Sequence, residues 1–406
     1  MRLQLAMSLR NRKDMKSARY WSCLLLFIFS LQGCGTIKSW FSDEEDNPRE
    51  PAELTKISSS VAIKKIWSVS VGNGQGEGLY RIKPFISNNT IYVASNDGQI
   101  KAINRLSGKL IWKAEIDSHL SGGVGFFRDK LFLGTVDGRI LMADTQKGEI
   151  IWSVRLTGEV LAAPQSDGEV VVVQTYDGKL SGLDFSTGKK LWTFDSNLPV
   201  LTIRGTGTPI FIGSTVYASF ANGRVLAFDS LSGSILWEAR VAIAKGRSDI
   251  ERMVDIDGAM AIQGGQLFAA SYQGRLAAID LTDGTRLWQR EISSITGTSL
   301  GFGNVYVVDD NGTVNAYLSD GQGLRWSQDA LAYRELSRPI PVSGYVAVVD
   351  FEGYLHLMSQ LDGEFVGRVR PDKNGARADM ISLGNVLYVY GNSGKLLAYE
   401  IRSKKI

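Results

Sequence analysis

Residues 176–192, YDGKLSGLDFSTGKKLW, contain a tight Asp-Gly turn, an alternating apolar run, a second turn ending in Gly, and a closing Trp. Alternation from Lys179 to Asp184 predicts an extended strand with one buried face. Gly178 and Gly188 bracket it with residues that accept the positive φ a chain reversal needs. The extended pattern resumes over residues 189–194, and upstream the valine-rich run 169–174 supplies another strand.

This unit is repeated. Gly98 precedes Trp112 by 14 residues, and the same offset separates Gly138 from Trp152, Gly178 from Trp192, Gly223 from Trp237, Gly274 from Trp288 and Gly312 from Trp326. Three or four strands in roughly 40 residues is the period of a propeller blade. The two ends of the array are incomplete in opposite senses. Residues 64–69, KKIWSV, match the Trp-bearing strand without a preceding turn, whereas 392–400 match the turn and third strand and the chain then stops. The N-terminal strand is therefore expected to complete the last blade, closing the ring and removing its open edges. Closing positions are Trp67, Trp112, Trp152, Trp192, Trp237, Trp288 and Trp326, with Gly367 in the eighth place, 14 residues after Gly353. The expected fold is all-β, an eight-bladed β-propeller of four-stranded antiparallel blades closed by pairing of the N-terminal and C-terminal strands. A seven-bladed ring would strand one matched unit. The small residue ten places before several of these Trp residues (Ala102, Gly182, Ala227, Ala278, Ala316) leaves room for the indole.

Outside the array, residues 1–33 combine Arg2, Arg10, Arg12, Lys13, Lys16 and Arg19 with the short apolar core 24–29, LLLFIF. That is an export signal rather than a membrane span, with translation starting at Met1, Met7 or Met15. Residues 31–34, Leu-Gln-Gly-Cys, resemble the bacterial lipobox, although Gln32 departs from the usual small or aliphatic residue. The resemblance implies cleavage before Cys34 and acylation of its thiol, and Gly35 in place of Asp implies sorting to the outer membrane. Of the two Cys, Cys23 lies inside the signal, so no disulfide or thiol chemistry is available within the fold. Residues 34–60 are expected to form the acylated Cys and an acidic, Pro-containing tether, and residues 61–406 the propeller. Without residues 1–33, which hold six of the 45 basic and one of the 42 acidic residues, the balance is 39 against 41. A chain so balanced gives no reason to expect nucleic acid.

The pattern Ala-x-Asp-x-x-x-Gly-x-x-x-Trp, met in full by Ala227 through Trp237 and by Ala278 through Trp288, resembles propellers of the pyrroloquinoline quinone (PQQ) dehydrogenase type. The resemblance spans about residues 64–400 and speaks to fold, not function. Two functions of different class follow. One is a periplasmic PQQ-dependent dehydrogenase. Against it, the fold has no Cys for a vicinal disulfide or a c-type haem, and His119 and His356 lie in different repeats. No cofactor, catalytic residue or metal site is expected.

The other is a non-enzymatic scaffold. Eight such repeats behind a lipobox Cys resemble the BamB family of outer-membrane protein assembly factors. That resemblance implies a lipid-anchored protein facing the periplasm, docked on the POTRA domains of BamA in the β-barrel assembly complex, with unfolded outer-membrane proteins as further possible partners. Spacing points to the docking region independently. Most successive closing positions are 38 to 41 residues apart, but Trp192 to Trp237 is 45, Trp237 to Trp288 is 51 and Trp67 to Trp112 is 45. Excess length falls in surface loops, where function concentrates. After Trp192 comes Leu201-Thr202-Ile203-Arg204, and after Trp237 the charged run 245–257 ending in Asp255-Ile256-Asp257. These match the Leu-x-Leu-Arg and Asp-x-Asp elements by which the family engages BamA, so Leu201, Ile203, Arg204, Asp255 and Asp257 are the candidate partner-binding residues. Leu201 and Ile203 could instead be inner-strand core, and the two Asp turn caps. The third long spacing holds a Gly-rich run, 72–78, expected to be a flexible loop because no Lys-Ser/Thr follows.

Overall fold

Alternating strands of five or six residues between Gly turns have one stable arrangement here, eight antiparallel sheets stacked face to face around an axis. The computed structural model describes residues 49–404. The first blade contains Phe85–Ser87, Thr90–Ala94, Gln99–Asn104 and Leu110–Glu115. Blades two to seven repeat that order over 120–155, 165–195, 210–240, 261–291, 298–328 and 340–369. The eighth takes Ile381–Leu383, Val386–Tyr390 and Lys395–Ser403 from the C-terminal end and Val61–Ser70 from the N-terminal end. All eight sheets are four-stranded, and the first strands of neighbouring blades lie side by side around the axis. Among the described residues none is helical, and so none forms a helix long and apolar enough to cross a membrane.

Each position of the repeat has a physical task. Ala227 faces Trp237 directly across its strand pair, as Ala102 faces Trp112, Gly182 faces Trp192, Ala278 faces Trp288 and Ala316 faces Trp326. The Asp two places on ties down the turn, as when Asp184 accepts the Thr187 amide at 2.8 Å. The turn Gly then lies on the indole of the preceding blade. A Cβ on Gly233, φ +70°, would stand 2.5 Å from Cδ2 of Trp192. Each indole N–H reaches forward to the next blade's turn carbonyl. Trp67 donates to Arg105, Trp112 to Thr145, Trp152 to Phe185, Trp192 to Ser230, Trp237 to Leu281, Trp288 to Ser319 and Trp326 to Gln360, all within 2.8–3.1 Å. The seven Trp are thus inter-blade rivets that satisfy their own N–H.

The same logic explains Gly367. A Trp there would need a turn between the third and fourth strands of the eighth blade, and that blade has none, because those strands are opposite ends of the chain. Ile63 of the closing strand fills the space instead, its Cδ1 lying 3.0 Å from where a Gly367 Cβ would be. The closing pair is the longest ladder of the ring, from Val61 opposite Ser403 to Ser70 opposite Lys395.

Two expectations change. Residues 72–78 are not a flexible loop. Gln75 is fully buried, exchanging hydrogen bonds with the Ile82 backbone at 2.8 and 2.9 Å, and the Val71 and Gln75 amides donate to Gly394 and Asn392. The run bridges the first and eighth blades and extends the closure. Residues 51–60, grouped with the tether by composition, lie against the crossover between the sixth and seventh blades, where the Ala52 amide donates to Ala332, and against the seventh blade itself, where the Ser60 amide donates to Val366. The signal, the lipobox and Cys34 lie outside the described residues.

Candidate functional site

In each blade the crossover to the next leaves the fourth strand beside the turn joining strands two and three. The Ser196 amide donates to Gly178 at 3.1 Å, and the Val241 amide to Gly223 at 2.9 Å. Both long crossovers, 196–209 and 241–260, therefore emerge on one rim. They also meet each other: the Ile203 amide donates to the Asp255 carboxylate, and a Cβ on Gly205 would meet Asp257 at 2.9 Å. The second crossover is held as well by the strand Thr215–Ser219, whose Ser219 Oγ donates to the Ile256 carbonyl at 2.9 Å.

The five candidate residues are brought together, but at different depths. Leu201 is 42% exposed and belongs to no strand, which removes the inner-strand reading for it, while Ile203 is half-buried. Arg204 already has a carboxylate partner within the chain, and about a third of its side chain stays exposed (34%). Its guanidinium pairs with Glu159 at 2.7 Å and lies 5.6 Å from the ring centres of both Tyr80 and Tyr176. Asp255 is 1% exposed, with one oxygen on the Ile203 amide and the other, Oδ1, without a partner. Asp257 Oδ2 is likewise buried and unpartnered. Burial pushes the Asp255 carboxyl up to about 6. Burial, then the neighbouring Asp255 charge, pushes Asp257 up to about 8, against the pull of Arg81. Asp257 is therefore mostly protonated at neutral pH. Asp255 braces the first crossover from beneath through the Ile203 amide, and the exposed side chains beside it include Leu198, Val200 and Leu201, while the second crossover exposes the charged Lys245, Arg247, Asp249, Glu251 and Arg252.

That rim holds residues the sequence reading passed over. Val200 is 83% exposed and Leu198 38%, and across the second crossover Ile243 and Ile250 are also exposed. Leu198 and Val200 lie just before Leu201, and their signal was an apolar stretch in a loop of excess length. Tyr80, Tyr176 and Glu159, which hold Arg204, come from three other segments and left no local signal.

His119 is exposed and His356 buried in a different blade, and among the described residues no group of three or more His, Cys, Asp or Glu could hold a metal. A cavity of about 470 Å³ opens between the inner strands of the first and eighth blades, lined by Lys83, Phe85, Ile86, Arg105, Ile381 and Leu383 among others.

A family model described as outer membrane protein assembly factor BamB matches residues 63–120 and 96–328. The outer membrane protein assembly factor BamB of Pseudomonas aeruginosa is 48% identical over 381 residues, covering 94% of this chain and 98% of that protein. The crystal structure of BamB from Moraxella catarrhalis superposes with a TM-score of 0.77 at 25% identity, covering 84% of this chain and all of that one. The quinohemoprotein alcohol dehydrogenase of Comamonas testosteroni, with a TM-score of 0.65 at 13% identity over 86% of this chain and 78% of its own, shares the fold alone. The repeat, the ring and these likenesses agree that the chain belongs to the BamB family of outer membrane protein assembly factors.

Proposed function

We propose that this protein is a non-catalytic scaffold of the β-barrel assembly complex, held at the outer membrane by acyl chains on Cys34 and facing the periplasm. It docks on the POTRA domains of BamA through the rim formed by its two long crossovers, and so aids insertion of β-barrel proteins. Leu201, Val200 and Leu198 supply the apolar contact. Ile203, Arg204, Asp255 and Asp257 hold that contact in shape. One observation carries the reading: the Ile203 amide on the Asp255 carboxylate joins two loops of excess length into one surface and leaves large aliphatic side chains exposed on it. Exposed apolar groups on a braced loop suit a protein partner, because burying them is favourable and the loop has little entropy left to lose. Unfolded outer-membrane proteins are a second class of partner, for which the ring leaves few free edges.

Pull-down of BamA by the mature protein tests the assignment. Leu201→Asp and Val200→Asp are expected to weaken capture by at least about tenfold, since a buried carboxylate in an apolar contact costs more than 1.4 kcal/mol. Their melting temperatures should stay at the wild-type value. Arg204→Glu and Asp255→Ala should weaken capture as well. Undiminished capture by all four variants removes the site.

A further inference from the structure

Residues 51–60 are clamped along the crossover into the seventh blade and along that blade itself. The Ala52 carbonyl accepts from Arg334 at 2.9 Å, the Thr55 carbonyl accepts from Arg368 at 2.7 Å, and Leu54 packs on the cluster that includes Trp326, Leu331, Leu336 and Met358. Both arginines are set by one buried network. Asp350 Oδ2 accepts from Arg334 Nε at 2.8 Å and meets His356 Nε2 at 3.1 Å, while Arg368 Nε donates to His356 Nδ1 at 3.0 Å. His356 and Asp350 are 0% and 1% exposed.

The tautomer follows from the donors. A guanidinium has only N–H groups to offer, so Nδ1 must be the bare acceptor and the imidazole proton sits on Nε2, donated to Asp350. We propose that His356 is an acid-operated release for the tether: when Nδ1 takes a proton from solvent, Arg368 loses its acceptor and lets go of the Thr55 carbonyl, freeing residues 51–58 from the blade.

Protonation sets one N–H against another and places a third cation in a buried pocket. The charged and titratable groups facing the imidazole are Asp350, Arg334 and Arg368, with Glu352 beyond on Arg334 and the Tyr354 ring 6.4 Å away. Asp350 is then the shared counter-ion of Arg334 and a charged His356. Burial, with the nearby guanidinium charges of Arg368 and Arg334, holds His356 below the ordinary histidine range despite Asp350. The clamp is therefore closed at neutral pH and opens only on distinct acidification. On the reading that Cys34 carries a lipid anchor, opening lengthens the unbound chain before the propeller by residues 51–58. The release does not depend on docking through the crossover rim.

Hydrogen exchange on the mature chain at about pH 7.5 and about pH 4.5, corrected for intrinsic rates, reads the release. In the wild type, residues 51–58 are expected to exchange about tenfold faster at the lower pH, while the third-blade strands keep their protection. His356→Gln offers Arg368 a non-titrating carbonyl and should keep the segment docked at both pH values. Arg368→Gln should free it at both. Unchanged protection of 51–58 in the wild type, or the same acid-induced loss in His356→Gln, overturns the proposal. The wild-type comparison and Arg368→Gln remain decisive if His356→Gln does not fold.

Discussion

Asp257 is the residue where position and chemistry are most at odds. Its Oδ2 is buried without a hydrogen-bond partner next to a second carboxylate, an arrangement that opposes ionisation. In the unfolded chain such a group loses its proton near pH 3.9, whereas in the fold it does so at about 8. Between those values the folded state keeps a proton the unfolded state releases. The associated stability is complete below about pH 4 and is lost as pH rises through about 8. Asp257→Asn keeps the shape and does not titrate. Its melting temperature should therefore gain on the wild type between pH 6 and pH 9, by roughly 2 °C at the upper end, in paired thermal melts. A constant or shrinking difference would show that the carboxyl is solvated. His356 carries the opposite sign. Its lowered pKa means the buried neutral form stabilises the fold above the ordinary histidine range and loses that advantage as pH falls.

At the scale of the element, the turn between the third and fourth strands joins one blade to the one before it. Gly233 serves both the turn, through its φ of +70°, and the packing, through its contact with Trp192. Gly213 has a similar φ of +59° but nothing within 4 Å. The pair separates the two effects. Gly213→Ala should cost about 1 kcal/mol, the strain of a left-handed residue. Gly233→Ala should cost about 2–4 kcal/mol, because the methyl must also displace an indole held by its hydrogen bond to Ser230. Urea unfolding of the two variants checks the difference, and equal costs would mean that the inter-blade contact yields easily. The crossovers follow another rule. Their lengths could be read from the spacing of the Trp residues, but the pairing of Ile203 with Asp255 joins residues 52 apart, and no periodicity encodes it.

For the whole molecule, stability rests on closure. Seven interfaces carry an indole rivet, and the eighth, between blades seven and eight, relies on Ile63 and the long ladder of Val61–Ser70 with Lys395–Ser403. Removing residues up to 70 leaves Lys395–Ser403 as an unpaired apolar edge and opens the ring. That truncation is expected to elute as oligomers and to lose its cooperative melt, whereas a chain beginning at Pro51 should stay monomeric. Size-exclusion chromatography of both checks this. A monomeric, cooperatively melting truncation would place closure elsewhere.

Much of this architecture was legible before any tertiary contact was known. The repeat spacing, the count of eight and the complementary half-units at the two ends are local or periodic properties. A strand's buried face, a turn's need for Gly and a Trp's need for a small residue opposite all act within a few residues or one register, so sequence alone determined the propeller and its closure. It also marked the two crossovers by their length. Only the tertiary structure decided what the charged residues do. Asp255 and Asp257 read as a surface pair but Asp255 lies beneath the rim on the Ile203 amide and Asp257 beside it, Arg204 pairs with Glu159, and residues 51–60 and 72–78 read as solvated chain but are bonded to the body. The reason is physical. A charge or a loop amide is free or bound according to which groups the fold brings within about 3 Å of it, and those groups come from other blades or from the far end of the chain.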